Sequence, residues 1–248
     1  MNWKRCGQGC QVPGDYPAAA NALEEALSIY RDLDDRLGQA NALLDLASAR
    51  GLTGDYPGAA QAVKQALGIS RDLGNRLGLA NGLSYLGYVL RQTGDYPASV
   101  RALEEALGIY RGLSDRHSQA NALGYLGGTL RLMGDYPDAA LALDEALAIY
   151  HDMGDRGGSA EIRNERGTLY RVNGELALAQ ECHQQSLELS RDMTSSWDEA
   201  HALAGLGRCA LAAGQAAQAQ ELLRQALEIF QRIGAAEASD LLAELNAQ

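Results

Sequence analysis

The chain has 248 residues, of which 46% are hydrophobic and 21% charged, and this apolar share excludes an intrinsically disordered protein. Its 21 Lys and Arg against 32 Asp and Glu give a formal net charge of −11, opposite in sign to that of a general nucleic-acid-binding protein. The bias toward Ala, Leu and Gly over β-branched residues predicts an all-α fold, and no apolar run is long enough to span a membrane.

The sequence contains an internal repeat with a period of 40 residues. Its signature, Gly-Asp-Tyr-Pro or a weaker version of it, begins at Gly14, Gly54, Gly94, Gly134, Gly174 and Gly214. Copies at this spacing fill the chain and leave no room for a separate domain. We therefore expect one repeat domain over 1–248, with units of about 1–36, 37–76, 77–116, 117–156, 157–196 and 197–234 and a capping helix over 235–246.

Each unit is predicted to form two helices, as the unit around Gly94 illustrates. Apolar residues fall at steps of three and four from Ala80 to Leu90 before the signature, and from Ser99 to Tyr110 after it. Each set forms one stripe of a helix, and we term the two helices A and B. Gly94 can adopt the left-handed conformation that ends helix A, and Asp95 can cap helix B. Such hairpins bury their stripes only by stacking on one another.

The small-residue pattern that runs from Leu86-Gly87 through Gly94-Asp95-Tyr96 to Ala106 resembles the tetratricopeptide repeat. The resemblance covers nearly the whole chain, and the long period is similar to that of the Leu-Gly-Asn repeat protein, of kinesin light chain and of bacterial NTPase-linked transcription regulators. It implies a right-handed superhelical solenoid of about six helical hairpins plus a C-terminal capping helix. It also implies a protein-interaction scaffold without naming a partner, since this fold serves many functions.

The two ends depart from the repeat. At the N-terminus, glycines and Pro13 interrupt the segment where the first helix A should lie. At the C-terminus, a capping helix is expected to bury the apolar residues Ala238, Leu241, Leu242 and Leu245. The acidic residues expected to point away from this stripe, as on a solubilising cap, are Glu237, Asp240 and Glu244.

No group of residues predicts catalysis. The sequence lacks a P-loop, a dinucleotide-binding glycine loop, a His-Glu-x-x-His motif and a nucleophile elbow. We therefore expect a protein that is not an enzyme and that binds no metal or cofactor. Cys6 and Cys10 lie one helical turn apart but lack the other ligands of a zinc site. Cys182, His183 and Cys209 are interpreted as helix-packing residues.

One face of the A helices is the candidate binding site. In tetratricopeptide proteins this face lines the concave groove, and here it carries Arg, Asn and Tyr at recurring positions. These residue types fit an extended acidic peptide, because Arg pairs with carboxylates, Tyr offers flat contact area and Asn bonds to peptide groups. The predicted groove residues are Asn81, Tyr85, Tyr88, Arg91, Asn121, Tyr125, Arg131, Asn164, Arg171, His201 and Arg208.

An alternative interpretation of this face stays open. The arginines would pair with acidic residues of neighbouring units, and the tyrosines would fill the space between adjacent A helices.

Two ligand-binding patterns known from grooves of this family do not match the residues of this chain. The lysines of the chaperone-tail carboxylate clamp would fall on Leu44, Ser84, Gly124 and Asn164. The asparagine ladder of the Leu-Gly-Asn repeat protein would fall on Asp45, Tyr85, Tyr125, Glu165 and Gly205.

Three kinds of function fit the sequence. The first is a bacterial, cytoplasmic scaffold for a protein or peptide partner, with no direct contact to nucleic acid or membrane. The second is the sensor region of a multidomain bacterial transcription regulator. The third is a structural protein that self-assembles, because the first helix B carries an apolar stripe that only a short segment precedes. A homodimer through the N-terminal repeat would bury that stripe, formed by Leu23, Leu27 and Tyr30.

Overall fold

The computed structural model of the chain describes residues 16–247, and this part is all-helical, with no strand. Its twelve helices are α1 (Tyr16–Asp32), α2 (Arg36–Leu52), α3 (Tyr56–Asp72), α4 (Arg76–Gln92), α5 (Tyr96–Leu113), α6 (Arg116–Met133), α7 (Tyr136–Asp152), α8 (Arg156–Val172), α9 (Leu176–Asp192), α10 (Ser196–Ala212), α11 (Ala216–Arg232) and α12 (Glu237–Asn246). The even-numbered helices α2 to α10 are the predicted A helices, and α1 to α11 with odd numbers are the B helices. The all-α fold of repeated helical hairpins is confirmed.

The turns between helices A and B have the chemistry that the sequence predicts. Gly94 has a φ of +86°, a left-handed conformation that glycine adopts without strain. The Asp95 carboxylate accepts a hydrogen bond from the backbone N–H of Ala98 at 3.2 Å and so caps α5. Pro97 lies in the first helical turn, where a backbone N–H is not needed. The signature therefore ends one helix and begins the next.

The chain divides into two compact units, the first ending at Thr129 and the second beginning at Leu130, within α6. In the first unit, α4 packs on α5, and the predicted helix B stripe from Ser99 to Tyr110 is buried. In the second unit, α10 packs on α11 around a core that includes Leu203, Leu223 and Phe230. Each unit is thus a stack of hairpins with its own core.

The capping helix differs in part from its prediction. α12 buries Leu241, which is 1% exposed, but Leu242 is 44% exposed. The expectation that Glu237 and Glu244 point away is also wrong, because Glu244 pairs with Arg208 of α10 at 2.7 Å. Glu237 lies four residues before Leu241 and Glu244 three residues after it, so all three share one face of the helix. Glu237 and Glu244 therefore contact the preceding repeat, whereas Asp240 is exposed as predicted.

At two glycines in the hairpin of α4 and α5, replacement by alanine is expected to change the free energy of unfolding in opposite directions. A Cβ on Gly87 would lie 2.5 Å from Cγ of the buried Leu103, whereas a Cβ on Gly108 would meet nothing within 4 Å. We expect Gly87→Ala to lower the free energy of unfolding by about 1–3 kcal/mol through overpacking. Gly108→Ala should raise it by up to about 1 kcal/mol, because alanine favours the helix. Urea denaturation measures both, and equal shifts of the two variants would contradict this packing.

Candidate functional site

All predicted groove residues lie on A helices, and the division of the chain places them in two groups. The first unit holds Asn81, Tyr85, Tyr88 and Arg91 on α4, with Asn121 and Tyr125 on α6. The second unit holds Arg131 in the last turn of α6, Asn164 and Arg171 on α8, and His201 and Arg208 on α10.

The predicted groove tyrosines of the first unit are buried. Tyr85, Tyr88 and Tyr125 are 4%, 8% and 5% exposed. The ring of Tyr88 lies 5.4 Å from that of Tyr85 and 5.5 Å from that of Tyr125, between centroids. The Tyr85 hydroxyl donates to the carbonyl oxygen of Ala47 on α2 at 2.9 Å, which ties α4 to α2. These rings fill the space between adjacent A helices, as the alternative interpretation holds, and they offer little flat area to a ligand.

The polar residues of this first group also have partners within the chain. The Arg91 guanidinium lies 5.6 Å from the ring centre of Tyr88 and 5.8 Å from that of Tyr125, in cation–π geometry. Asn81 accepts a hydrogen bond from the Tyr110 hydroxyl at 2.8 Å. The first group is therefore a polar surface fixed by aromatic packing.

Two of the predicted groove arginines in the second unit form ion pairs with glutamates. Arg131 of α6 pairs with Glu165 of α8 at 3.5 Å, and its side chain is 15% exposed. Arg208 of α10 binds the Glu244 carboxylate through both Nε and Nη2, at 3.1 and 2.7 Å. Such paired contacts of guanidinium and carboxylate are geometrically specific. Glu165 lies on α8, the next A helix after α6, and Glu244 lies on the capping helix α12.

His201, another member of this group, belongs to an aromatic cluster. Its ring centre lies 4.9 Å from that of Trp197 and 5.0 Å from that of Phe230. Its Nε2 lies 4.0 Å from a carboxylate oxygen of Glu237 on α12. This cluster contributes to the packing of the last hairpin on the capping helix.

A buried histidine lies beneath the second group. His183 of α9 is 1% exposed, and its Nδ1 lies 3.1 Å from Oδ1 of Asn164. Because an amide oxygen can only accept, Nδ1 carries the proton. Nε2 is then a buried acceptor, and it has no hydrogen-bond partner among residues 16–247. Burial, with Arg171 as the next cause, lowers the pKa of His183 to about 4, so the ring is neutral at neutral pH.

Sequence reasoning treated His183 as a packing residue and missed its polar role. At 40-residue spacing, His183 occupies the position held by the buried residues Leu143 and Leu223. Its ring fits because Gly205 has no side chain: a Cβ there would overlap the ring. The equivalents of Gly205 in the first unit are Asp45, Tyr85 and Tyr125. A polar residue in a leucine position, with a glycine where the other repeats have a larger side chain, was the signal available in the sequence.

The predicted self-association stripe is partly covered in the structure. Leu27 is 5% exposed, while Leu23 and Tyr30 are half-buried. Trp3, Cys6 and Cys10 lie outside the described residues, as does the first helix A that the repeat predicts. The homodimer stays a prediction.

Two searches of the described helices concern other kinds of site. Between residues 16 and 247, no three His, Cys, Asp or Glu side chains come together in a group that could hold a metal ion. None of the helices in that range has both the length and the apolar character needed to cross a lipid bilayer.

Comparison with known proteins supports this architecture. The family model for the tetratricopeptide repeat matches residues 8–72, 78–152 and 158–232. BtubC (BKLC) from P. vanneervenii is similar in structure, with a TM-score of 0.66 and 19% identity over 87% of this chain and 91% of its own. Comparison with curated protein sequences found no match to this chain.

Two peptide complexes are also similar in structure. A Rap protein complexed with Competence and Sporulation Factor has a TM-score of 0.74 and 16% identity, covering 98% of this chain and 71% of its own. NprR in complex with its cognate peptide NprX has a TM-score of 0.74 and 13% identity, covering 91% of this chain and 67% of its own. At these identities the likeness shows the fold alone.

Proposed function

The chain belongs to the tetratricopeptide repeat family, and from this we propose that it is a scaffold whose A-helix face binds an extended acidic segment of a partner protein. The observation that carries the proposal is a row of arginines. Arg91, Arg131 and Arg171 occupy the same position at 40-residue spacing, and all three are half-buried on A helices. A chain of net charge −11 thus carries cationic groups on the face from which this family binds ligands.

The contacts of the row define what it can bind. The tyrosines and asparagines of the first unit are held by packing and by internal hydrogen bonds, so they position the surface. Ligand contact falls to the guanidinium groups, which form paired hydrogen bonds with carboxylates. An acidic segment therefore suits this face better than a neutral or apolar one.

A peptide-sensing region of a regulator is the second candidate function. NprR, one of the similar structures, is in complex with its cognate peptide. The same surface would serve a sensor and a scaffold, since each requires peptide binding on the A helices.

Selection of random peptides on the immobilised protein tests the proposal. We expect the selected peptides to be rich in Asp and Glu, because the arginines select carboxylates. Fluorescence polarisation should then show that Arg91→Glu/Arg131→Glu/Arg171→Glu weakens their binding by about tenfold or more, or about 1.4 kcal/mol. Binding should also weaken with added salt, which screens exposed charge.

A matched control separates this site from a general effect of charge. Arg71, Arg101 and Arg232 are exposed on B helices, and reversing these three changes the net charge by the same amount. The control variant should bind the selected peptides as the wild type does. Selection without acidic enrichment, or equal losses in the two triple variants, would refute the proposed function.

A further inference from the structure

Arg171 differs from Arg131 and Arg208, the other two predicted groove arginines of the second unit. Arg131 and Arg208 are each paired with a glutamate, as described above. Arg171 is half-buried, and no carboxylate in residues 16–247 lies within ion-pair distance of it.

The charges around Arg171 are unbalanced. The predicted groove residues of the second unit include three guanidinium groups, Arg131, Arg171 and Arg208, and two carboxylates pair with the first and the last of these, which leaves one positive charge. Burial lowers the pKa of Arg171, and the like charges of Arg208 and Arg131 lower it further, with Glu244 acting in the opposite direction. A guanidinium stays protonated in spite of this, since it does not lose its proton in proteins.

The same charges act on the buried His183. Arg171 and Arg208 both oppose protonation of His183, and Glu165 compensates only in part. His183 is neutral, so it adds no charge, and its neighbour Asn164 is an amide.

We propose that Arg171 is the anchor of the groove and binds one carboxylate of the partner segment. The assignment rests on the proposed function for its setting and narrows it to one residue and one ligand group. The carboxylate can come from an Asp or Glu side chain or from the C-terminus of a chain. In either case it adds a third guanidinium–carboxylate pair to those of Arg131 and Arg208, and a bound carboxylate relieves the repulsion between Arg171 and Arg208.

Nuclear magnetic resonance of the arginine Nε–Hε groups tests this in the full chain, with three short capped polyalanine peptides as probes. One carries a central Glu, one has a free C-terminal carboxylate, and one has a central Gln and an amidated end. We expect the Arg171 signal, assigned from Arg171→Gln, to shift saturably with the first or the second peptide and to stay in place with the third. The peptide that acts identifies the source of the carboxylate.

Two variants complete the test. Arg232→Gln, at an exposed position on α11, should leave the titration unchanged, whereas Arg171→Gln should abolish it. Arg171→Gln should also melt no lower than the wild type, because it removes like-charge repulsion. A shift with the neutral peptide, no shift with any peptide, or a loss of thermal stability in Arg171→Gln would overturn the assignment. Failure of the random-peptide selection with a positive titration would instead remove the proposed function and leave the Arg171 site.

Discussion

Lowering the pH from 6.5 toward 4 is expected to reduce the free energy of unfolding by about 3 kcal/mol through His183. The pKa of this ring is lowered from 6.5 to about 4 in the folded chain, and each unit of pKa difference corresponds to about 1.4 kcal/mol. The causes are burial first, then Arg171, with Arg208 in the same direction. This is a large share of the stability of an ordinary domain.

The direction of the effect follows from proton binding. Between about pH 4 and pH 6.5 the unfolded chain binds a proton at His183 and the folded chain does not, so acid favours unfolding. The stabilisation by the neutral His183 ring is fully present above 6.5, its pKa in the unfolded chain. It is lost as the pH falls toward about 4, its pKa in the folded chain. Below the folded pKa the loss levels off, since both states are then protonated.

Urea denaturation of wild type and His183→Leu at about pH 7 and about pH 4.5 measures this contribution. Leucine is the matched replacement, because Leu143 and Leu223 occupy the equivalent positions. The variant should lose less stability on acidification than the wild type does. His151→Gln, at an exposed position on α7, is the control and should behave as the wild type does. An unchanged acid response in His183→Leu would contradict the assignment of the buried neutral ring.

Gly205→Ala is expected to lower the free energy of unfolding by about 3 kcal/mol, the upper end of what one inserted methyl group costs in a packed core. The added methyl group would overlap the His183 ring. The ring has little room to move, because it is also in close contact with Gly167, where a Cβ would lie 2.7 Å from it. We expect the damage to fall on the packing of α9 between α8 and α10.

A double-mutant cycle attributes this loss to the contact with His183. In a His183→Ala background, Gly205→Ala should be nearly neutral, giving a coupling free energy of about 3 kcal/mol in magnitude. Gly68→Ala serves as the control, since a Cβ there would meet nothing within 4 Å. Additive effects of the two substitutions would show that the overlap is not the cause.

The sequence alone determined the repeat, the helical hairpins and their turns. These features are local: a positive φ at Gly94, a cap at Asp95 and apolar residues at helical spacing act within one turn or one helix. For the same reason, the buried stripe from Ser99 to Tyr110 was predictable from its spacing. The membership of the A-helix face followed as well, since residues 40 apart occupy equivalent positions.

The tertiary structure alone decided what the residues of that face do. Tyr85 is buried because its hydroxyl reaches a carbonyl on α2, 38 residues earlier in the chain. The partner of Arg208 lies 36 residues later, on a helix whose glutamates were predicted to point away. Such contacts depend on the distance and phase between stacked helices, which no local pattern encodes. That is why the sequence places Arg131, Arg171 and Arg208 together on the A-helix face, and only the packing distinguishes Arg171 from the two that are paired.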